Sequence, residues 1–471
     1  MILLIVLDGL RPDQITEDRT PNLCMLVRRG VRFLNHHSVF PTETRINVAS
    51  FVTGCYPGRH GLVGNQFYFH YDKETLVDSS RSQSLALLNR ATNGNILFSK
   101  SLGEYLGETG KRFVCINVGS SGNAYLNNHK VEETNGMVIH PNYTFPTSEE
   151  KILKANFGNW PVVGIPNSAR IRYATDVLLD YVIPNYEPTV AFLWMSEPDG
   201  SQHKTGLDSC QADESIHNAD RELGRVLEFL EDKKLTSSTD FLVASDHGHS
   251  TVTKTVNISK QLVEAGLKDV MESDEVLLAG KGGCTLIYVQ KHNKEKVKAI
   301  IEFLMTQDWC GPLFTSPIAF PGTFPLSLIM NQNDRSPDIL MSFAWNDLKE
   351  HGFKGTITAA KGEVGVGCGN HGSISPYDIH NVLIASGPHF KQGVEDNIPT
   401  GNIDILPTLL NIMELPPPKN IDGRILSEVL KGEIHLESSF VERRLQEAST
   451  HIGESLPTAT TDVTSWKDIL F

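Results

Sequence analysis

Carboxylates and imidazoles recur in tight pairs along this chain. Ser196-Glu-Pro-Asp199-Gly-Ser-Gln-His203 places an Asp and a His four residues apart, with Pro and Gly bending the segment between them. Asp246-His247-Gly248 supplies an adjacent pair, Gly369-Asn-His371-Gly a further imidazole, and Asp8 follows the apolar run Ile2–Leu7. Carboxylate oxygen and imidazole nitrogen are donors that Zn²⁺ favours and that Mn²⁺ or Fe²⁺ accepts. Three Asp and three His exceed what one tetrahedral ion takes and suit two divalent ions. Paired ions about 4 Å apart clamp the attacking and leaving oxygens of an in-line displacement at phosphorus.

Such a centre wants a nucleophile. His36-His37-Ser-Val-Phe-Pro-Thr42-Glu-Thr44-Arg-Ile-Asn47 ends an extended run and opens a helical pattern. A hydroxyl at a helix start sees free N–H groups and the positive end of the helix dipole. Coordinated to a metal, a Thr hydroxyl can ionise near neutral pH and attack phosphorus. Thr42 is a rival hydroxyl, but Thr44 has Asn47 three positions on, whose amide is expected to point at a phosphoryl oxygen. Three Asp and one alkoxide balance two divalent ions. That matters because the 471-residue chain is acidic, with 42 Lys and Arg against 56 Asp and Glu and a net charge of −14. The balance argues against nucleic acid or an anionic membrane as partner. A small-molecule phosphoester would be drawn by the cations instead.

These residues need a scaffold. Ile2–Leu7, Phe113–Val118, Val190–Trp194, Phe241–Ala244 and Val382–Ala385 read as buried strands, continuously apolar rather than alternating. Between them lie helical patterns at Pro21–Arg29, Ser101–Glu108, Ala169–Tyr181, Glu214–Glu231, Asn293–Leu304 and Ile403–Met413. The alternation predicts an α/β fold with a mostly parallel central sheet and helices on both faces. Ligands then sit beyond the carboxyl ends of strands, where Asp8, Asp199 and Asp246 fall. Residues 265–365 fit extra sheet plus a cap-like insertion, with strands at Glu275–Leu278, Thr285–Gln290 and Asp338–Phe343. A catalytic domain over 1–432 and a C-terminal extension over 433–471 complete the expected organisation. The opening run lacks a basic flank and a cleavage site, so it reads as a strand rather than a signal peptide. Seven scattered cysteines without CxxC spacing suit a cytoplasmic protein, and the sequons at Asn142 and Asn257 read as chance.

Several motifs resemble the alkaline phosphatase superfamily. They are Leu7-Asp8-Gly-Leu-Arg11-Pro-Asp, Thr20-Pro-Asn-Leu23, Thr44-x-x-Asn47, Val52-Thr-Gly54-x-Tyr-Pro57, Glu197-Pro-Asp199-x-x-x-His203, Ser245-Asp-His-Gly248 and Asn370-His-Gly372. The branch it resembles is the type I phosphodiesterase/nucleotide pyrophosphatase family. Asn402-Ile-Asp404-Ile-Leu-Pro407 and Asp422-Gly-Arg-Ile-Leu426 resemble that superfamily's C-terminal signature. The resemblance implies an alkaline-phosphatase-like fold and two metal sites, Zn²⁺ foremost, with Mn²⁺ or Fe²⁺ as alternatives. One ion would be held by Asp199, His203 and His371, the other by Asp8, Asp246, His247 and the Thr44 hydroxyl. It further implies a phosphothreonine at Thr44, with Asn47 on the phosphoryl oxygen.

Three same-chain alternatives compete. A phosphomonoesterase or a phosphonate hydrolase could use the same residues, and an inactive metal-bound scaffold is the rival from another class. Asn65-Gln-Phe-Tyr68 resembles a stretch shared by nucleotide pyrophosphatases and phosphonoacetate hydrolases, so it does not separate P–O from P–C cleavage. Cys55-Tyr-Pro57-Gly-Arg59 matches the sulfatase C-x-P-x-R pattern, but Thr53-Gly54 precedes the cysteine instead of following it. Arg11, Arg45 and Phe67-Tyr68-Phe69 are candidate pocket residues, the aromatics being better core candidates. His249 reads as an outer or surface residue, and His380 and His389 have no assigned role.

Overall fold

The computed structural model describes residues 1–432 apart from 72, 317, 318, 351, 363 and 417. The expected extension at 433–471 lies outside the described residues.

Strand β1 (Ile2–Leu7) is buried along its whole length. Ile2, Leu4 and Val6 join one apolar cluster, and Leu3, Ile5 and Leu7 join another. Successive side chains leave opposite faces of a strand, so a sheet covered on both sides selects apolar residues at every position. The same sheet contains β2 (Val31–Phe33), β3 (Phe113–Asn117), β4 (Met137–Ile139), β5 (Val190–Met195), β6 (Asp240–Ala244), β7 (Leu383–Ser386) and β8 (Val394–Asp396). Their lateral order is β8-β2-β7-β6-β1-β5-β3-β4. Strands β4, β3, β5, β1 and β6 run parallel. Only β7 is reversed, antiparallel to both β6 and β2, while β8 is parallel to β2.

Helices cover both faces. Pro21–Arg29, Ser168–Val177 and Cys210–Asp232 pack on the side of Leu3 and Ile5. Thr44–Thr53, Ser82–Ala91, Leu102–Glu108 and Ile405–Ile412 pack on the other. The helix expected over Ala169–Tyr181 instead ends at Val177 and continues as a π-helical segment, Leu178–Val182. The fold is therefore α/β with a mostly parallel central sheet between helical layers.

Residues 276–343 build a second, five-stranded sheet, including Val276–Ala279, Cys284–Val289 and Ile339–Phe343. Helix Lys294–Leu304 buries Val297, Ile300, Ile301 and Leu304 against one face of it. The other face contributes Leu286, Tyr288 and Leu340 to the main core. A third sheet pairs Ser250–Val256 with Phe353–Ala360 and with Gly369–Asn370. That last pairing, Ser250 opposite Asn370, draws His371 toward His247 and His249.

Candidate active site

Sheet register assembles the site. Leu7 pairs with Met195 and Val6 with Ala244, so β1, β5 and β6 end side by side. Asp8, the Ser196–Asp199 turn and Asp246-His247 follow those three ends directly. Helix Thr44–Thr53 starts over the same edge, with Glu43 extended and Thr44 in its first turn.

Asp199 Oδ1 lies 3.1 Å from His203 Nε2, 3.4 Å from His249 Nε2 and 3.5 Å from His371 Nε2. On the other side, His247 Nε2 lies 3.2 Å from Thr44 Oγ1, 3.2 Å from Asp246 Oδ2 and 3.6 Å from Asp8 Oδ1. Among the described residues, two groups of donors have metal-ligand spacing: Asp199, His203, His249 and His371, and Asp8, Asp199 and His247. Asp199 belongs to both, so the groups adjoin. The rings of His247 and His371 stack at 3.6 Å across the seam.

The imidazoles are oriented through their other nitrogen. Nδ1 of His203, His247 and His371 lies 3.0, 2.9 and 2.6 Å from the carbonyl oxygens of Gly369, Gly248 and Thr42. A carbonyl only accepts, so Nδ1 carries the proton and Nε2 presents its lone pair inward. Two of the carboxylates, Asp8 and Asp246, are held similarly at one oxygen each. Trp194 Nε1 donates to Asp8 Oδ2 at 2.9 Å, and the Gly9 amide donates to Asp246 Oδ1 at 3.1 Å. The remaining oxygens, Asp8 Oδ1, Asp199 Oδ1 and Asp246 Oδ2, are buried with no hydrogen-bond donor. Burial without a partner is costly for a charged oxygen. Burial pushes the Asp8 carboxyl well above its ordinary range, aided by Asp246 and Asp199. Burial raises Asp246 too, with His247 opposing. At Asp199 burial acts in the same direction, yet His203, His249 and His371 outweigh it and hold the carboxyl well below its ordinary value. Inward-facing lone pairs and orphaned carboxylate oxygens form a donor set that fits divalent cations.

Thr44, Asp199, His203 and His371 line a cavity of about 240 Å³, together with Arg45, Asn65 and Lys281. A larger cleft of about 910 Å³, bordered by Arg59, His292 and Asp422, lies elsewhere and holds neither donor group. The structure therefore brings together Asp8, Thr44, Asp199, His203, Asp246, His247 and His371. It does not bring Asn47. That residue is fully buried, its Nδ2 donating to Glu43 O at 3.1 Å and its Oδ1 accepting from Val39 N and Asn402 Nδ2. Asn65 is one of the amides on the cavity wall, with Gln66 and Asn370. Its Oδ1 accepts from the Arg45 N–H at 3.1 Å, which leaves Nδ2 to donate to a ligand. Arg11 is absent from the cavity wall as well. It forms a bidentate ion pair with Asp13 and donates to His249 O at 2.8 Å. Phe67 is core, and Tyr68 and Phe69 pack against that core. Of the two readings of His249, outer or surface, burial removes the surface one: the residue is wholly buried beside the other imidazoles.

Comparison with known proteins agrees with this geometry. Residues 2–346 match the family described as type I phosphodiesterase / nucleotide pyrophosphatase. Ectonucleotide pyrophosphatase/phosphodiesterase family member 7 of Rattus norvegicus is 24% identical over 441 residues, covering 92% of this chain and 87% of that protein. Family member 5 of Homo sapiens is 24% identical over 249 residues, covering 52% of this chain and 44% of that one. The solved structure of murine ectonucleotide pyrophosphatase/phosphodiesterase 5 superposes with a TM-score of 0.65 at 17% identity, over 91% of this chain and 100% of that chain. An inactive Thr-to-Ala form of the murine protein, in complex with AMP, matches with the same TM-score. This chain, a hydrolase, belongs to the type I phosphodiesterase/nucleotide pyrophosphatase family.

Proposed function

We propose that this protein is a two-metal hydrolase of phosphodiester or nucleotide pyrophosphate bonds, acting through a phosphothreonine at Thr44. The observation that carries the proposal is the convergence of the Thr44 hydroxyl with three orphaned carboxylate oxygens around His247. Asp8, Asp246, His247 and Thr44 would hold one cation; Asp199, His203 and His371 would hold the other, Zn²⁺ foremost. When bound, such a pair supplies Lewis-acid charge at the attacking and leaving oxygens.

The chain's own groups do the rest. Thr44 stands in the first turn of its helix, where free N–H groups stabilise developing negative charge on Oγ1. Its Oγ1 releases its proton to solvent and bonds to phosphorus as the bond to the leaving oxygen breaks and that oxygen takes a proton from solvent. Water then adds to phosphorus, the P–Oγ1 bond breaks, and the threonine hydroxyl is restored with release of the phosphate product. Asn65 Nδ2 donates to a non-bridging oxygen, held in that attitude by the Arg45 amide. Arg45 and Lys281 line the cavity and attract the anionic substrate that the acidic chain as a whole repels. The threonine substitution in the inactive murine relative supports the role given to Thr44.

A second reading, a monoesterase or phosphonate hydrolase, is favoured by one observation. The cavity wall is polar, with no aromatic among its described residues to stack on a nucleobase. Turnover of bis(p-nitrophenyl) phosphate, p-nitrophenyl phosphate and phosphonoacetate, measured alongside bound-metal content, decides between the two. The diester is expected to lead, and Thr44→Ala to lose at least about 10³-fold with all metal retained at the Asp199 side. A monoester or phosphonate ahead by orders of magnitude overturns the diester assignment; unchanged turnover in Thr44→Ala overturns the nucleophile.

A further inference from the structure

We infer that His249 is a direct protein ligand of the Asp199-side cation, giving that site four protein donors, three imidazoles and one carboxylate. The inference deepens the two-metal reading and rests on it.

The argument begins with what an ordinary buried histidine does. Buried polar groups find partners in the great majority of cases. His36 follows that rule, with Nδ1 2.9 Å from Thr400 Oγ1 and Nε2 2.9 Å from Asn402 Oδ1. His249 is equally buried, yet neither ring nitrogen completes a hydrogen bond, although the Gly9 backbone approaches the ring closely. Its Nε2 instead points at Asp199 Oδ1 from 3.4 Å, between the 3.1 Å of His203 and the 3.5 Å of His371. The three rings are spaced evenly, with centroids 5.0 Å apart for His203–His249, 5.1 Å for His203–His371 and 5.0 Å for His249–His371. Three nitrogens and one carboxylate oxygen, all within 4.8 Å of one another, form a donor set for a single cation.

The chain also makes room for this ring. Gly9 adopts φ +72°, and a Cβ there would sit 2.7 Å from His249 Cε1 and Nδ1 and 3.1 Å from Asp199 Cβ. Only glycine lets the Asp8 turn close over the imidazole. Arg11, two residues later, donates to His249 O at 2.8 Å and fixes the backbone beneath the ring. His249 thus has packing and backbone support but no completed hydrogen bond at its ring, as expected of a ligand.

The consequence is a filled coordination shell. A catalytic Zn²⁺ commonly keeps one of four positions open; with four protein donors the leaving oxygen would be met as a fifth ligand, an expansion that zinc sites make in the transition state. The Asp199-side cation is then the tighter of the two, and three imidazoles bias it toward Zn²⁺ or Co²⁺ over Mn²⁺.

The test loads the cation-free full chain with Co²⁺ and counts the histidines whose ring protons are shifted by the paramagnetic ion in NMR spectra. Chelator competition gives the affinity of each site in parallel. Four shifted imidazoles are expected in the wild type and three in His249→Leu, which keeps the volume. The tighter dissociation constant should weaken by more than about 10–100-fold, the loss typical of removing a partner one shell further out. Three shifted imidazoles in a wild type holding two Co²⁺ overturn the role of His249 alone. A wild type that binds no Co²⁺ overturns the two-metal reading and this inference together. The wild-type count decides even if the variant does not fold.

Discussion

Two buried polar clusters lie back to back around the start of helix Thr44–Thr53, and they differ in one respect. In the rear cluster, Asn402 Nδ2 donates to Asn47 Oδ1 at 2.8 Å and to Asp246 O at 2.9 Å. Asn402 Oδ1 meets His36 Nε2 and Asn381 Nδ2, and Asn47 uses both ends of its amide. In the front cluster, three carboxylate oxygens and both nitrogens of His249 complete no hydrogen bond. Polar residues are buried in both places. Satisfaction separates them: of the rear atoms only Asn381 Oδ1 lacks a partner, and a nearly complete hydrogen-bond network specifies structure, while a set of aimed, unpartnered groups awaits a ligand.

The largest consequence of that difference concerns cations. Stripping divalent ions from the protein is expected to lower phosphoester turnover at least about 10³-fold, with recovery on adding Zn²⁺. Asp199→Ala should lower bound metal and rate together, because Asp199 borders both donor groups. Full turnover in protein shown by elemental analysis to be metal-free breaks the comparison at its root.

Next in size is the contrast between the two asparagines. Asn65→Ala should cost about 10²–10³-fold in kcat, as loss of one oxyanion donor does, with a smaller loss of stability than Asn47→Ala because only the Arg45 N–H loses its acceptor. Asn47→Ala should leave kcat within a few-fold and instead lower stability by about 2 kcal/mol, since it leaves the Val39 N–H and one of the two Asn402 Nδ2 hydrogens without an acceptor in a buried place. Steady-state kinetics and denaturant unfolding on both variants check this, and a kcat loss in Asn47→Ala matching that of Asn65→Ala merges the two clusters.

Asp8 tests the charge of the front cluster alone. Burial, Asp246 and Asp199 raise its folded-state carboxyl well above the ordinary 3.8, so the cation-free fold holds that proton more tightly than the unfolded chain does. Stability of the cation-free protein therefore falls as pH rises from about 4 through the raised value. Asp8→Asn should remove this penalty, raising the thermal midpoint of cation-free protein at pH 7 while diminishing the further rise on adding Zn²⁺. A lower midpoint under both conditions contradicts the sign.

Much of the front cluster was legible in the sequence because strand ends are legible. A continuous apolar run followed by Asp, as at Leu7-Asp8 or Ala244-Ser-Asp246, announces both a buried parallel strand and the edge where ligands bind. The short strands β2, β4 and β8 were not visible, since three residues carry no period. Asn47 misled for a geometric reason. The helix points its first turn at the cavity, and each residue after Thr44 moves about 1.5 Å along the axis away from it. Three residues on, the side chain has entered the core. Asn65 returns to the cavity through a loop, and nothing in the spacing of 44 and 65 encodes that return. His249 was hidden because Ser250–Val256 pairs with Gly369–Asn370, a contact between distant segments that turns the start of the strand inward.

The smallest expected effect isolates the rear cluster. His36 is buried between Thr400 and Asn402, and burial lowers its pKa from 6.5 to about 3. The folded protein thus binds this proton less readily than the unfolded chain. Its contribution to stability is complete above pH 6.5 and is lost as pH falls toward about 3. At pH 5.5 the loss from this one residue is about 1.4 kcal/mol. His36→Gln keeps an amide to meet Asn402 but cannot titrate, so its stability should change less between pH 7.0 and 5.5 than that of the wild type, by about that amount. Because both ring nitrogens of His36 are bonded without any cation, the difference should be the same in metal-loaded and metal-free protein. Denaturant unfolding at the two pH values, with and without Zn²⁺, measures it. A His36 contribution that depends on the metal would mean that the rear cluster is part of the site rather than its foundation.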